Sequence, residues 1–80
     1  MRQLYVILEE HRFSKFYDVL GVADSKKSWE AMINKQYGRD VISTAKVQDV
    51  RDSGIEYIYT FDDEESEIEI TIANYQLNEL

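Results

Sequence analysis

Only one segment of this chain repeats its apolar side chains at helical spacing, and the other apolar segments alternate with period two. The residues of the helical stripe lie three and four positions apart: Trp29, Met32, Ile33, Gln36 and Tyr37. Such spacing places them on one side of an α-helix. Asp24 or Ser25 can cap the first turn, and Gly38 can adopt the positive φ of a residue that ends a helix. We therefore predict one helix, over residues 25–37.

The alternating segments are typical of β-strands. They are residues 4–9, 17–23, 41–50, 55–61 and 68–72. The first has apolar residues on both faces, so we expect it to lie centrally in its sheet. The polar connection of residues 11–15 is short, which favours a hairpin between the first two strands. The remaining connections are predicted as a turn at residues 52–54, an acidic turn at residues 62–66 and a short tail at residues 74–80.

The apolar stripes predict how these elements pack. Trp29 should be buried as the anchor of the helix, against the row of Ile68, Ile70 and Ile72. The alternating aromatic residues Tyr57, Tyr59 and Phe61 resemble a platform for stacking bases, but the acidic surroundings would repel phosphates. Core packing or a protein interface is the interpretation we favour. The chain is therefore predicted as a single α+β domain over residues 1–80, in the order β-β-α-β-β-β, with one helix packed on an antiparallel sheet.

Composition excludes several classes of protein. The chain has 80 residues and no cysteine, so a disulfide framework, a thiolate metal site and a cysteine nucleophile are all impossible. Small secreted domains usually depend on disulfides, so we expect a cytoplasmic protein. The apolar run at residues 4–8 is too short for a signal peptide or a membrane span. A net charge of −7 disfavours nucleic acids and anionic membranes as partners.

Negative charge is concentrated in the second half of the chain. Residues 48–80 hold ten acidic residues and one basic residue, whereas residues 1–47 hold six acidic and eight basic residues. The candidate partner-binding residues are Asp62, Asp63, Glu64, Glu65, Glu67 and Glu69. If they bind a partner, that partner should be a basic protein. The alternative is a solvated turn beside an edge strand that charge repulsion protects from aggregation.

The acidic segment does not have the pattern of a calcium loop. Calcium loops interleave their oxygen ligands and require a glycine at the sharp turn, and no glycine follows Gly54. Glycine-rich phosphate loops are absent from the sequence as well. We therefore predict no metal and no cofactor.

The single histidine, His11, is the only candidate for acid–base chemistry near neutral pH. Either Glu9 or Glu10 can pair with it as an acid–base dyad. We favour a solvated histidine at the end of a hairpin, because no nucleophile or second catalytic group is placed beside it. The sequence therefore predicts no catalytic residue and no enzymatic activity.

Three segments resemble an uncharacterised family of small bacterial and phage α+β domains. The first is the strand of residues 5–11, and the second is LGVADSKKSWEAM at residues 20–32. The third is the ending Ile-x-Ile at residues 68–70 with Tyr-x-Leu at residues 75–77, which brings the resemblance to about half of the chain. The chain departs from the family at Ala23, where an aromatic residue is usual, and at Trp29, where a small one is. The resemblance implies a small α+β domain and no established activity.

Two functions are compatible with these features. The first is a non-catalytic acidic interaction domain, such as a phage or mobile-element protein that binds and modulates a host protein. Its carboxylates would imitate the phosphates of a nucleic acid in the basic groove of a nuclease, a repressor or a polymerase. The alternative is a structural or assembly protein that forms a homodimer by pairing the edges of two sheets.

Overall fold

The computed structural model describes residues 2–12, 16–63 and 66–77 of the chain. The elements are β1 (Arg2–His11), β2 (Phe16–Ala23), α1 (Lys26–Tyr37), β3 (Lys46–Asp52), β4 (Ile55–Asp63) and β5 (Ser66–Leu77). All strand pairs are antiparallel, and the sheet has the order β2-β1-β5-β4-β3. The single α+β domain with the order β-β-α-β-β-β is confirmed.

The position of each strand follows from its neighbours. β1 lies between β2 and β5, so the prediction that it is an internal strand is confirmed. β2 and β3 form the two edges of the sheet. Because α1 connects β2 to β3, the chain passes from one edge to the other across a single face of the sheet. That face is called the covered face below, and the opposite one is the open face.

Side-chain and backbone caps set both ends of α1. The Oγ atom of Ser25 accepts a hydrogen bond from the backbone N–H of Ser28 at 3.2 Å. Gly38 ends the helix with a φ of 66°, and its N–H donates to the carbonyl oxygen of Lys35 at 3.2 Å. An L-residue with a side chain adopts this backbone conformation only at a cost, which explains the glycine at this position. The predicted helix is confirmed, although Gln36 of the predicted stripe is exposed.

The core lies between α1 and the covered face. Ile68, Ile70 and Ile72 of β5 are completely buried, and the side chain of Trp29 is 1% exposed. The ring centroid of Trp29 lies 5.6 Å from that of Tyr59. The isoleucine row of the central strand β5 belongs to the same buried cluster as Trp29 and Ile33 of the helix. The predicted burial of Trp29 and its packing with the isoleucine row are therefore confirmed.

The predicted strand over residues 41–50 is wrong in its first half, because residues 41–45 form turns and β3 begins at Lys46. The Oδ1 atom of Asn34 accepts the backbone N–H groups of Val41 and Ile42 at 2.9 and 3.2 Å. These amides are therefore bound by a side chain instead of a neighbouring strand. Val41 itself is 1% exposed and extends the core beyond the end of the helix.

A second side chain holds the same turn. The Asp40 carboxylate accepts hydrogen bonds from the backbone N–H of Ser43 at 3.2 Å and from its hydroxyl at 2.9 Å. These bonds lower the pKa of Asp40 below its ordinary value, because they favour the ionised carboxylate. Asp followed three residues later by Ser is a turn pattern, so the alternation of apolar residues in this segment was misleading.

The predicted tail after residue 74 is also wrong in part, because β5 continues to Leu77. In the register of β1 with β5, Leu4 lies opposite Tyr75 and Arg2 lies opposite Leu77. The long first strand therefore supplies hydrogen-bonding partners for the last residues of β5. The backbone N–H of Asn74 also donates to the carbonyl oxygen of the β3–β4 turn at Gly54.

Candidate functional surface

The predicted acidic residues lie on two faces of the β4–β5 hairpin. Asp62 lies directly opposite Glu67, and side chains that are opposite each other in an antiparallel pair point to the same face. Alternation then places Glu69 with them on the open face, because Ile68 between them is buried in the core. Asp63 points to the covered face. Glu64 and Glu65 lie outside the described residues.

A fourth carboxylate joins this group from β1. Glu10 lies directly opposite Glu69, as Asp62 does opposite Glu67. The open face thus ends in two pairs of opposed like charges. The four residues are called the acidic end below: Glu10, Asp62, Glu67 and Glu69. Opposed like charges on neighbouring strands destabilise a sheet, so this arrangement has an energetic cost.

Two arginines pair with carboxylates of the β4–β5 hairpin, Arg12 with two of the acidic end and Arg39 with Asp63 outside it. Nη1 of Arg12 donates to Oε1 of Glu67 at 2.7 Å, and its Nε lies 3.6 Å from Oε2 of Glu69. The bond to Glu67, together with the charges of Glu67 and Glu69, raises the pKa of the Arg12 guanidinium. Nη2 of Arg39 donates to the carboxylate of Asp63 at 3.3 Å. Because both arginine side chains are about half exposed, water and salt screen these ion pairs and they contribute little stability.

A shallow cleft of about 330 Å³ lies beside the acidic end. Its lining carries both signs of charge, because it includes Arg39 and Lys46 as well as Asp62 and Glu67. The carboxylates therefore border a mixed cleft instead of forming a uniform row. Such a surface suits a protein ligand that has its own pattern of charges.

A buried polar group lies on the covered face at the same end of the molecule. Glu9 is 6% exposed, and its carboxylate accepts hydrogen bonds from the hydroxyl of Tyr37 and from Nε2 of His11, the latter at 2.8 Å. Burial and the bond to Glu9 raise the pKa of Tyr37 well above its ordinary value. The Tyr37 ring packs edge-on against Phe61, with 4.9 Å between ring centroids.

The sequence left open whether Glu9 or Glu10 pairs with His11, and the structure shows Glu9. His11 and Glu9 are alternate residues of β1, and alternate residues of a strand point to the same face. Their side chains therefore lie on the same side of the sheet. His11 lies at the end of the β1–β2 hairpin, as the favoured interpretation had it, but its side chain is only 28% exposed and is therefore partly buried instead of solvated. The sequence predicted Tyr37 only as an apolar member of the helical stripe, and its hydroxyl was given no role. The available signal was Glu9 itself, because a glutamate at an inward-facing strand position needs a buried hydrogen-bond partner.

The polar group of Glu9, His11 and Tyr37 joins a strand to the helix. Both oxygens of the Glu9 carboxylate are engaged, one by a strand and one by the helix. The arrangement links the end of α1 to β1 and satisfies a buried charge.

The aromatic row of β4 belongs to the core. The ring centroid of Tyr57 lies 5.9 Å from that of Trp29, and Tyr59 is 5% exposed. Nζ of Lys26 lies 5.2 Å from the centroid of the Tyr57 ring, where the face of an aromatic ring attracts a cation. Burial raises the pKa of Tyr59 to about 12. The prediction of core packing for this row is therefore confirmed.

The open face also has an apolar region that sequence reasoning did not assign to a function. Its residues on β1, β2 and β5 are called the apolar end: Leu4, Val6, Leu8, Val19, Val22 and Tyr75. Val19, Val22 and Tyr75 are 53%, 53% and 56% exposed. The signal was available, because β1 has apolar residues at successive positions and only one face of the sheet can be covered by a single helix.

Metal sites, membrane-spanning helices and similar proteins give no functional assignment for this chain. Among residues 2–12, 16–63 and 66–77, no three His, Asp or Glu side chains are placed to hold a metal ion. The one helix of the described chain is too short and too polar to cross a membrane. Comparison of the chain with family models, with curated proteins and with solved structures gives no match. The resemblance to small bacterial and phage domains therefore stays a prediction.

Proposed function

We propose that this chain is a non-catalytic interaction domain whose acidic end binds a basic protein. The observation that carries the proposal is the pair of like-charge contacts across neighbouring strands, Glu10 with Glu69 and Asp62 with Glu67. Such contacts reduce the stability of a sheet, and a domain of 80 residues has little stability to lose. A basic partner would remove the repulsion on binding.

The partner class follows from the charge. A surface with excess carboxylate attracts clustered Lys and Arg residues and accelerates their approach, and it repels phosphate groups. The basic groove of a nucleic-acid-binding protein has the required charge. Occupation of such a groove would block access of its nucleic acid. This supports the hypothesis of a cytoplasmic phage or mobile-element protein that modulates a host protein.

The test compares two variants that lose the same charge from different places. Asp62→Asn, Glu67→Gln and Glu69→Gln together remove three charges from the acidic end. Asp24→Asn, Asp49→Asn and Asp52→Asn remove three charges from exposed positions away from it. The wild type and both variants are immobilised, and proteins captured from a bacterial lysate are identified. The association rate of each purified captured protein is then measured against ionic strength.

We expect the first variant to associate about tenfold more slowly at low salt and with a weaker dependence on salt. The control variant should retain the rate and the salt dependence of the wild type to within about twofold. If both variants behave alike, the acidic end has no recognition role and serves only to keep the chain soluble. A captured protein that is not basic would contradict the proposal as well.

A further inference from the structure

The apolar end of the open face is unusual for a surface in contact with water. Antiparallel sheets with one covered face normally carry polar side chains on the other. Here Leu4, Val6 and Leu8 of β1 point outward, next to Val22 on β2. Exposed apolar patches that extend over several strands are rare in monomeric soluble proteins.

Apolar contacts continue from these strands onto β4. A shallow groove of about 470 Å³ has an apolar lining of Leu8, Ile55, Ile58, Ala73 and Tyr75. The rest of its lining is Ser53, Gly54, Glu69, Thr71 and Asn74. Toward the other end of the same strands the outward positions become polar, at Thr71 and then at the acidic end. The open face is therefore divided along the strand direction into an apolar and an acidic half.

Both edges of the sheet are protected against pairing with another strand. The edge strand β3 carries four charged residues, Lys46, Asp49, Arg51 and Asp52, and its ladder with β4 is interrupted between Asp49 and Asp52. Charged residues and irregularities of this kind block the addition of a further strand.

The β2 edge has equivalent features. Its ladder with β1 shifts register between Ile7 and Leu8. The backbone N–H of Val19 donates to the carboxylate of Asp18 at 2.8 Å, so a side chain of the same strand occupies this amide. Self-association through an edge, the alternative predicted from the sequence, is therefore disfavoured at both edges, and the apolar end is the larger surface that remains uncovered.

We propose that a second copy of this chain covers the apolar end, with the two open faces stacked in a twofold dimer. The two larger dimensions of the molecule are 46 and 22 Å, which bound a face of about 1,000 Å². The apolar end is about half of that face, so two copies would bury roughly 1,000 Å² in total, which is the lower limit for a specific interface. Stacked sheets at a spacing of about 10 Å would interdigitate the valine, leucine and tyrosine side chains.

The acidic end determines the orientation of the two copies. A twofold axis parallel to the strands would place the two acidic ends against each other, and the repulsion would oppose association. An axis across the strands that passes through the apolar end reverses the strand direction of the second copy, so the apolar ends overlap and the acidic ends project at opposite ends of the dimer. The acidic ends then stay accessible, and this proposal does not depend on the function proposed above.

The oligomeric state of the purified chain tests the proposal. Sedimentation equilibrium of the wild type should give twice the mass of one chain at micromolar concentration. Val19→Lys with Val22→Lys places two ammonium groups in the interface and should raise the dissociation constant by about a hundredfold or more. Both positions are exposed in the single chain, so circular dichroism should show an unchanged fold.

Val47 provides the matched control. It is a valine on an edge strand, 56% exposed, and it lies opposite Tyr59 on the covered side of the sheet. Val47→Lys should leave the dimer intact. Dissociation by Val47→Lys would show pairing through the β3 edge and would overturn the proposal, as would a monomeric wild type at about 100 μM.

Salt separates this proposal from the function proposed above. Screening of the repulsion between two chains of charge −7 should strengthen the dimer as salt rises. Binding of a basic partner should weaken over the same range. A dimer that dissociates with added salt would be held by charge instead of apolar contact, which would contradict the stacked arrangement.

Discussion

The two faces of the same five-stranded sheet differ in what their apolar residues do. On the covered face Ile7 and Ile70 are completely buried under the helix. On the open face Val19 and Val22, which are just as apolar, are about half exposed. Alternation along a strand assigns each residue to a face, but burial requires an element that covers the face. One helix of twelve residues is enough for one side only.

The same contrast holds for carboxylates. On the covered face Glu9 is buried, and its two oxygens accept hydrogen bonds from His11 of the same strand and from Tyr37 of the helix. On the open face the Glu69 side chain is 22% exposed, and its Oε2 atom lies 3.6 Å from Nε of Arg12. A buried carboxylate must be fully bonded to be tolerated, whereas an exposed one is solvated by water. The covered face therefore constrains each side chain strongly, and the open face leaves its residues available for partners.

The largest expected effect is on the covered face. Trp29→Ala should reduce the free energy of unfolding by about 3–5 kcal/mol, because it leaves a cavity beside Tyr59 at the centre of the core. Urea denaturation followed by circular dichroism measures this loss. Val22→Ala on the open face, studied at a concentration at which the chain is monomeric, should cost less than about 1 kcal/mol. Similar losses at the two positions would contradict the contrast between the faces.

A smaller effect is expected from the tyrosines of the covered face at alkaline pH. Burial raises the pKa of Tyr59 from 10.0 to about 12, so the folded state holds this proton more tightly than the unfolded state does. The resulting stability is complete below pH 10 and is lost as the pH rises from 10 toward 12. Tyr37 changes stability in the same direction. Urea midpoints measured across this range should decline, and Tyr59→Phe should reduce the decline. A constant midpoint up to pH 12 would show that Tyr59 is not buried in solution.

The smallest effect is expected on the open face. Asp62→Asn removes one member of the opposed pair with Glu67 and should raise the free energy of unfolding by a few tenths of a kcal/mol, roughly 0.2–0.5 kcal/mol, at low salt. The gain should vanish at about 1 M salt, where the repulsion is screened. Asp49→Asn is the comparison, since Asp49 pairs with Arg51 at 2.9 Å and its loss should give no gain. A destabilised Asp62→Asn variant would mean that this carboxylate supports the fold.

The sequence predicted most of the fold and only part of the candidate surface. Local signals identified the helix with its caps at Ser25 and Gly38, because capping and helical spacing depend on residues close together in the chain. The same local signals predicted a strand at residues 41–45, which is wrong because the side chain of Asn34 binds backbone N–H groups there. The surface was found only in part, because Asp62, Glu67 and Glu69 were recognised by composition, whereas Glu10 joins them through strand pairing.

The sequence by itself determined the number and kind of elements, the residues on each face of a strand, and the charge of the second half of the chain. These properties depend on periodicity and composition. Only the tertiary structure decided which face the helix covers, that β5 lies at the centre between β1 and β4, and that Glu9 bonds both Tyr37 and His11. The physical reason is that register and packing join residues far apart in the chain. The exposed apolar end and the opposed carboxylates are consequences of that pairing.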